Sequence, residues 1–257
     1  MIKNPKSAQS HDRLAAFLET FPLTAVPCDE IGQANLLIVG SATVRQPTQI
    51  LFRPRVVPDL PEAKMMLAGT KVDFGGSINP LVGALPEEIT LPLEEEPHLA
   101  ALAVLVIDET ERPRCGGAAI RERLAEVVVV LAVRRAIAAG TVNAGLLMGL
   151  AHPELHASLV AMHDAPARQW RLEELATIAG MGRSRFIREF AATVGTTPVS
   201  YLNGWRLTLG RVRLRAGKSV KATAASVGFG SAAAFSRAYS RHFGHAPSER
   251  RQAKGVS

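Results

Sequence analysis

The clearest alternation of apolar and polar positions lies in the last third of the chain, and it occurs twice. Leu172, Leu175 and Ile178 recur at helical spacing, Gly180 interrupts, and Phe186, Phe190 and Val194 then follow every fourth residue. Residues three or four apart share one side of an α-helix, so each set is an apolar stripe. The pattern returns as Val220, Ala224 and Val227, then Gly228, then Phe235, Tyr239 and Phe243. Ala176 and Ala224 stand four residues before the glycines and are small, as two closely crossing helices need. Glycine at the break supplies a tight turn with positive φ at no steric cost. The spacing predicts helices over 171–179, 183–194, 220–227 and 231–243. Between the pairs, Thr197 and Pro198 read as a cap and a first-turn proline. They open a helix over 198–215 whose predicted buried stripe is Val199, Leu202, Trp205, Leu209 and Val212. Ser219 is the expected N-cap of the helix that follows.

Upstream the pattern changes. Residues 21–110 carry short apolar runs, Leu36–Val39, Ile50–Phe52, Arg55–Val57 and Lys64–Leu67, punctuated by Pro47, Pro54, Pro58 and Pro61. Such runs suit short strands of a small β structure. Asp12–Glu19 reads as a short helix, Leu99–Ile107 as helix or strand, and Ala118–Ala139 as a long helix ending at Gly140. Asn143–Leu150 is a connector. His152-Pro153 opens a further helix through about His163, and Asp164-Ala165-Pro166 ends it and marks the domain boundary.

Charge sharpens the division. The chain has 257 residues and a formal charge of +7, but residues 166–257 hold 16 basic and 4 acidic side chains, a net +12, and the remainder nets −5. A basic end on a mildly acidic body implies a polyanion at that end only. The first repeat shows Arg183, Ser184, Arg185 and Arg188 opposite its apolar stripe. The second shows Ala232, Ala233, Ser236, Arg237, Ser240 and Arg241, with Ser231 at its start. A helix apolar behind and cationic in front is the form of a DNA-recognition helix. Two such helices held by one linking helix would enter successive major grooves, about 34 Å apart. Arg206, Arg211, Arg213 and Arg215 on the linking helix are candidates for phosphate contact, which positions a protein and makes binding salt-dependent. The second face offers fewer polar groups, leaving Arg237 as its main base reader and the alanines for thymine methyl contact. The bland alternative is an all-α domain with a solvated basic face. Two cysteines make no disulfide framework, no apolar run reaches the ~18 residues that span a bilayer, and the N-terminus lacks a secretory pattern, so a cytoplasmic, membrane-free protein is expected.

These residues resemble the AraC/XylS family of bacterial transcription regulators. The matching motifs are Leu-Glu-Glu-Leu-Ala (172–176), Ala-Gly-Met-Gly-Arg-Ser (179–184) and Gly-Thr-Thr-Pro (195–198). The second half matches through Ala-Ala-Ser-Val-Gly-Phe-Gly-Ser (224–231), Ala-Phe-Ser-Arg-Ala-Tyr (234–239) and Phe-Gly-His-Ala-Pro (243–247). The resemblance implies a double helix-turn-helix domain over 168–252 that reads an asymmetric promoter site. It implies base contacts at Ser184, Ile187 and Arg188, then Ala232, Ala233 and Arg237. Some positions depart from the family pattern. Gly204 and Gly210 lie inside the linking helix, each at a cost of about 1 kcal/mol against Ala. Thr223 takes a usually aliphatic core position, and Arg171 a usual cap position. Together they suggest a marginally stable reader.

The segments Glu62–Leu93, Glu111-Arg112-Pro113, 118–139 and 152–166 are similar to family members with a cupin-like sensor domain. The implied fold class is α+β: a small, reduced cupin-like β-barrel with helices over 1–140, a linker helix over 141–167, the reader over 168–252 and a tail over 253–257. Relatives commonly dimerise through the helical section, where Leu124, Val127, Val128, Leu131 and Ile137 lie on overlapping faces of one helix. No His lies between His11 and His98, which argues against a metal-dependent cupin enzyme; no cofactor or metal is expected. His152, His156 and His163 could share a helix face as a metal set, but surface histidines on a linker helix are the preferred reading. Cys28 and Cys115 are candidates for a redox pair, since some relatives sense oxidants and Arg112 and Arg114 stand near Cys115. Relatives often carry a Cys where this chain has Ala68, and incidental cysteines are the favoured alternative. The expected function is sequence-specific regulation of transcription through promoter DNA. The expected partners are RNA polymerase, an unknown small-molecule or redox effector and a second copy of the chain. A cupin-type ligand-binding or enzymatic protein with a secondary DNA-binding tail is the alternative.

Overall fold

The computed structural model describes residues 12–139, apart from 29, 31, 42–45 and 56–63, and residues 145–249. The chain divides into two compact units, one formed by residues 21–151 and the other by 1–20 together with 152–257. The class is α+β.

The first unit holds a five-stranded antiparallel sheet. Its strands are β1 (Thr24–Pro27), β2 (Leu36–Ser41), β3 (Pro47–Phe52), β4 (Lys64–Asp73) and β5 (Ile89–Pro92), in the order β1-β4-β2-β3-β5. Three predicted apolar runs thus lie in β2, β3 and β4; Val56 and Val57 of the fourth fall outside the described residues. Opposed residues in the register put Leu36, Ile38, Ile50, Phe52, Ile89 and Leu91 on one face, all buried. Leu37, Val39 and Leu51 occupy the other face and pack with Ala34, Cys28 and Met66. Burial on both faces explains why β2 reads as a continuous apolar run rather than an alternation. Asn79 caps the short α2 (Pro80–Ala84), its Oδ1 accepting from the Leu81 N–H at 2.9 Å.

The ambiguous segment after β5 is helical. A proline at the first turn opens α3 (Pro97–Glu111), and α4 (Gly117–Ala139) returns against it; both pack on the sheet. The buried side of α4 is Ala125, Val128, Val129, Ala132, Val133, Ala136 and Ile137. Ile120 and Val127 are exposed, and Leu124 and Leu131 are half-buried. The expected stripe is therefore split: Val128 and Ile137 are buried in the core, Leu124 and Leu131 are only half-buried, and Val127 faces outward. α5 (Leu146–Ala151) closes the unit.

The second unit is all helical. Its members are α1 (Ala15–Thr20), α6 (Leu155–Asp164), α7 (Leu172–Ile178), α8 (Arg183–Val194), α9 (Pro198–Arg215), α10 (Val220–Ser226) and α11 (Ala232–Phe243). The last five fall within a residue of their expected bounds, because caps and glycines fix both ends. Helix α6, which the sequence assigns to a linker, belongs to this compact unit, and so does α1 from the far end of the chain. Phe17 of α1 is fully buried, its ring 4.8 Å from that of His163 and 5.0 Å from that of Trp205. His163 is accordingly not the surface residue the sequence suggested: it is 4% exposed. Burial pushes its pKa down to about 3, so the ring is neutral, and its Nε2 shares a hydrogen bond with the Tyr201 hydroxyl at 2.6 Å. The same burial raises the Tyr201 pKa and keeps that hydroxyl protonated.

Candidate nucleic-acid interface

Both repeats close the same way. At the first turn the Met181 N–H donates to the Ala176 carbonyl at 2.9 Å; at the second the Phe229 N–H donates to the Ala224 carbonyl, also at 2.9 Å. This six-residue closure needs a left-handed residue inside it, and Gly180 and Gly228 supply φ of 65° and 85°. Gly228 is constrained twice, since a Cβ there would sit 2.7 Å from the Ala167 backbone. Aromatic rings then back each second helix. Phe186, Phe190 and Tyr201 form one edge-to-face series, with centroids 5.6 and 5.7 Å apart. Phe229, Phe235, Tyr239 and Phe243 form a second series, edge-to-face at its first pair and tilted at the next two, with centroids 5.4, 5.5 and 4.6 Å apart.

Helix α9 joins the repeats, and it differs from the single buried stripe expected of it. Leu202, Trp205, Leu207, Thr208 and Gly210 are buried, Leu209 and Val212 are half-buried, and Val199 is 53% exposed. The reason is that α9 packs against α8 as well as α10 and α11, and so is covered on more than one side. Leu207 belongs to the core of the second repeat, with Ala224, Val227, Phe235 and Tyr239. Gly210 also departs from expectation. A Cβ there would lie 2.7 Å from Cε2 of Phe235, so glycine is what lets the ring reach α9. A Cβ at Gly204 would meet nothing within 4 Å among the described residues beyond its own helix backbone, so this glycine is a plain loss of helix propensity. Thr223 is fully buried and its hydroxyl has no hydrogen-bond partner among the described residues, as an aliphatic position filled by a polar residue would show. Arg171 opens α7 without a side-chain cap. Glu174 compensates by accepting from the Arg171 N–H at 3.0 Å, and this bond, followed by the Arg168 contact, holds its carboxyl below the usual range.

The residues expected to face DNA divide into groups. On α8, Arg183, Ser184, Arg185 and Arg188 are exposed and Ile187 is half-buried. Its arginines each meet a carboxylate: Arg185 pairs with Glu154 at 2.6 Å, Arg183 with Glu173 at 3.1 Å and Arg188 with Glu189 at 3.5 Å. On α11, Ala233, Arg237 and Arg241 are exposed, and Ala232 and Ser236 are half-buried. Ser231 is the N-cap, its Oγ accepting from the Ala234 N–H at 3.1 Å. Arg211 is half-buried, its guanidinium 4.9 Å from the centre of the Phe243 ring. Arg213 and Arg215 are exposed in the last turn of α9.

Arg206 is corrected. It is 8% exposed and donates from Nε to the Pro166 carbonyl at 2.7 Å and from Nη2 to the Arg168 carbonyl at 2.8 Å. Burial lowers its pKa. Its charge is directed inward, so it is not a phosphate contact but the anchor of segment 165–170. That segment also reaches the second repeat, where Gln169 Nε2 donates to the Gly228 carbonyl at 3.0 Å, and it is closed on itself by Trp170 Nε1 donating to the Ala165 carbonyl at 3.0 Å. Sequence reasoning missed this clasp, because its bonds go to main-chain carbonyls, which any residue type presents.

In the other unit, Cys115 is exposed and Cys28 is half-buried, and both are free thiols. Arg114 is paired with Asp108 at 2.6 Å and with Glu109, and Arg112 lies 3.8 Å from Asp108. The cations expected to act on Cys115 are engaged by carboxylates. Among the described residues no group of three or more His, Cys, Asp or Glu side chains could hold a metal ion, and no helix is long and apolar enough to cross a membrane.

A two-repeat helical unit with a cationic front, joined in one chain to a unit built on an antiparallel sheet, defines a class of DNA-reading regulators with a β domain. Residues 175–253 match the family described as Helix-turn-helix domain, and residues 34–138 match Cupin. A putative AraC-like transcription regulator of Streptomyces lividans is 35% identical over 73% of this chain and 64% of its own length. The RCS-specific HTH-type transcriptional activator RclR of Escherichia coli K12 is 30% identical over 85% of this chain and 83% of its own. An AraC-type transcriptional regulator structure from Chromobacterium violaceum is 28% identical, covering 37% of this chain and 86% of that one, with a TM-score of 0.36. The chain belongs to the AraC-like transcription regulators. It spans less than two thirds of the length of the first curated relatives it matches.

Proposed function

We propose that this protein is a sequence-specific DNA-binding regulator of transcription. It binds double-stranded promoter DNA through α8 and α11 and carries no catalytic step of its own. The observation that carries this reading is the repeated helix–glycine turn–helix, whose second helices present Arg183, Ser184, Arg185 and Arg188 on one and Ala233, Arg237 and Arg241 on the other. Arg188 and Arg237 read bases; Arg211, Arg213 and Arg215 meet phosphates. Arg188→Ala and Arg237→Ala should each lower discrimination between cognate and altered sites by about 1–3 kcal/mol. Arg211→Ala should instead weaken binding to every sequence and flatten the salt slope by about one. Binding of the full chain to its upstream region and to random duplex, across a salt series, checks this. Equal losses on both DNAs for all three variants refute the assignment.

The unit at 21–151 is the sensor in this reading, answering a small molecule or an oxidant, and RNA polymerase is the downstream partner. A second copy of the chain pairs through α4. Ile120, Leu124, Val127 and Leu131 recur at the four- and three-residue spacing of a helix-pairing seam and stay exposed or half-buried. Val127→Glu should then yield a monomer in sedimentation equilibrium; an unchanged oligomeric state removes the pairing.

A further inference from the structure

The three arginines on the front of α8 are not held alike. The partners of Arg183 and Arg188 are Glu173 and Glu189, which belong to the same repeat, on α7 and α8. The partner of Arg185 is Glu154, 31 residues away, and theirs is the shortest of the three contacts, at 2.6 Å. Glu154 is the N-cap residue of α6 and lies three residues beyond Ala151, where the sheet-bearing unit ends. Its position is fixed locally. The His152 ring accepts at Nδ1 from the Glu154 and Leu155 N–H groups, each at 3.2 Å, and so closes the first turn of α6. Both members of the pair are partly exposed, with side chains 51% and 37% accessible, so the contact can open to solvent or to a competing anion.

We infer that Glu154 is a positioning residue for DNA binding: it holds the Arg185 guanidinium and withholds that cation from phosphate until the 152–154 turn rearranges or DNA displaces it. This rests on the DNA-reading assignment above. The physical argument is competition. A carboxylate and a phosphate oxygen bind a guanidinium through the same charge-assisted hydrogen bonds. An arginine already paired inside the protein adds less to affinity than a free one, and it releases fewer counterions per binding event. The geometry also gives the contact a direction of control. Glu154 is the N-cap of α6, at the point where the chain passes from residues 21–151 into the helical unit, so a local rearrangement of residues 152–154 changes the partner of an arginine on the candidate recognition helix while the buried body of α6 stays packed.

The test is a double-mutant cycle on the full chain. Wild type, Glu154→Gln, Arg185→Gln and the double variant are titrated against random and upstream duplex by fluorescence anisotropy, between 50 and 200 mM salt, a range of about the width over which such contacts respond. Glu154→Gln should tighten binding to both DNAs by roughly two- to fivefold at the low-salt end, the size expected for freeing an exposed ion pair, and steepen the log–log salt slope by close to 0.9. In the Arg185→Gln background the same substitution should change neither quantity. Tightening of equal size with and without Arg185 would reduce Glu154 to a general negative charge and overturn the inference. So would wild-type DNA binding that Glu154→Gln leaves unaltered or weakens. Absence of any DNA affinity in the wild-type chain would instead sink the DNA-reading assignment, and this inference with it.

Discussion

Two glycines in one helix should respond in opposite ways to the same added methyl group. Gly204 and Gly210 both lie inside α9, and alanine improves helix propensity by about 1 kcal/mol at either. At Gly204 no atom of the described residues beyond the local helix backbone lies within 4 Å of the new Cβ, so Gly204→Ala should stabilise the reader by roughly that amount. At Gly210 the Cβ would stand 2.7 and 2.8 Å from Cε2 and Cζ of Phe235. That ring is fully buried between Phe229 and Tyr239 and has nowhere to retreat. Overpacking of this kind costs about 1–3 kcal/mol, which cancels or exceeds the propensity gain. The net expectation for Gly210→Ala is a loss of up to about 2 kcal/mol. The chain contains two tryptophans, Trp170 and Trp205, and both lie in the helical unit, so intrinsic tryptophan fluorescence follows that unit alone. In urea, with a slope of about 1–3 kcal/mol per molar, the two midpoints should move apart by roughly 1 M in opposite directions from wild type. Equal stabilisation by both substitutions would refute the reasoning, because it would mean that Phe235 does not occupy the space above Gly210.

Phe17→Ala should destabilise the same unit by about 3–5 kcal/mol, the range for truncating a buried phenylalanine; an unchanged tryptophan transition would show that α1 is not part of the reader's core. The stability of the unit should also fall in acid. His163 has a folded pKa of about 3 against 6.5 unfolded, so only the unfolded chain takes up its proton between those values. The stabilisation is complete above 6.5 and is lost as pH falls toward 3, at about 1.4 kcal/mol per pH unit and about 2 kcal/mol between pH 7 and pH 5. His163→Gln, which keeps a hydrogen-bonding partner for Tyr201 but cannot titrate, should flatten that fall; an equally steep fall in the variant would assign the acid sensitivity to other groups.

The helices of the reader were legible because their signals are local. Thr197, Ser219 and Ser231 cap their own helices, Gly180 and Gly228 turn their own corners, and a four-residue apolar repeat needs no partner to be recognised. The outward position of Arg188 and Arg237 followed from the same period. What the amino-acid order determined by itself was therefore the two repeats, their α9 connection and the charge on their front. Tertiary structure decided which of these residues remain available. Arg206 has the same charge as Arg211 and sits on the same helix, but its donors are taken up by the carbonyls of Pro166 and Arg168. Gly210 looks like a flaw equal to Gly204 until Phe235 is placed beside it. His163 and Phe17 are nearly 150 residues apart in the chain and share one core. Periodicity records which side of an element faces inward. It carries no record of what waits there, because a contact between distant segments depends on both of them and is written in neither.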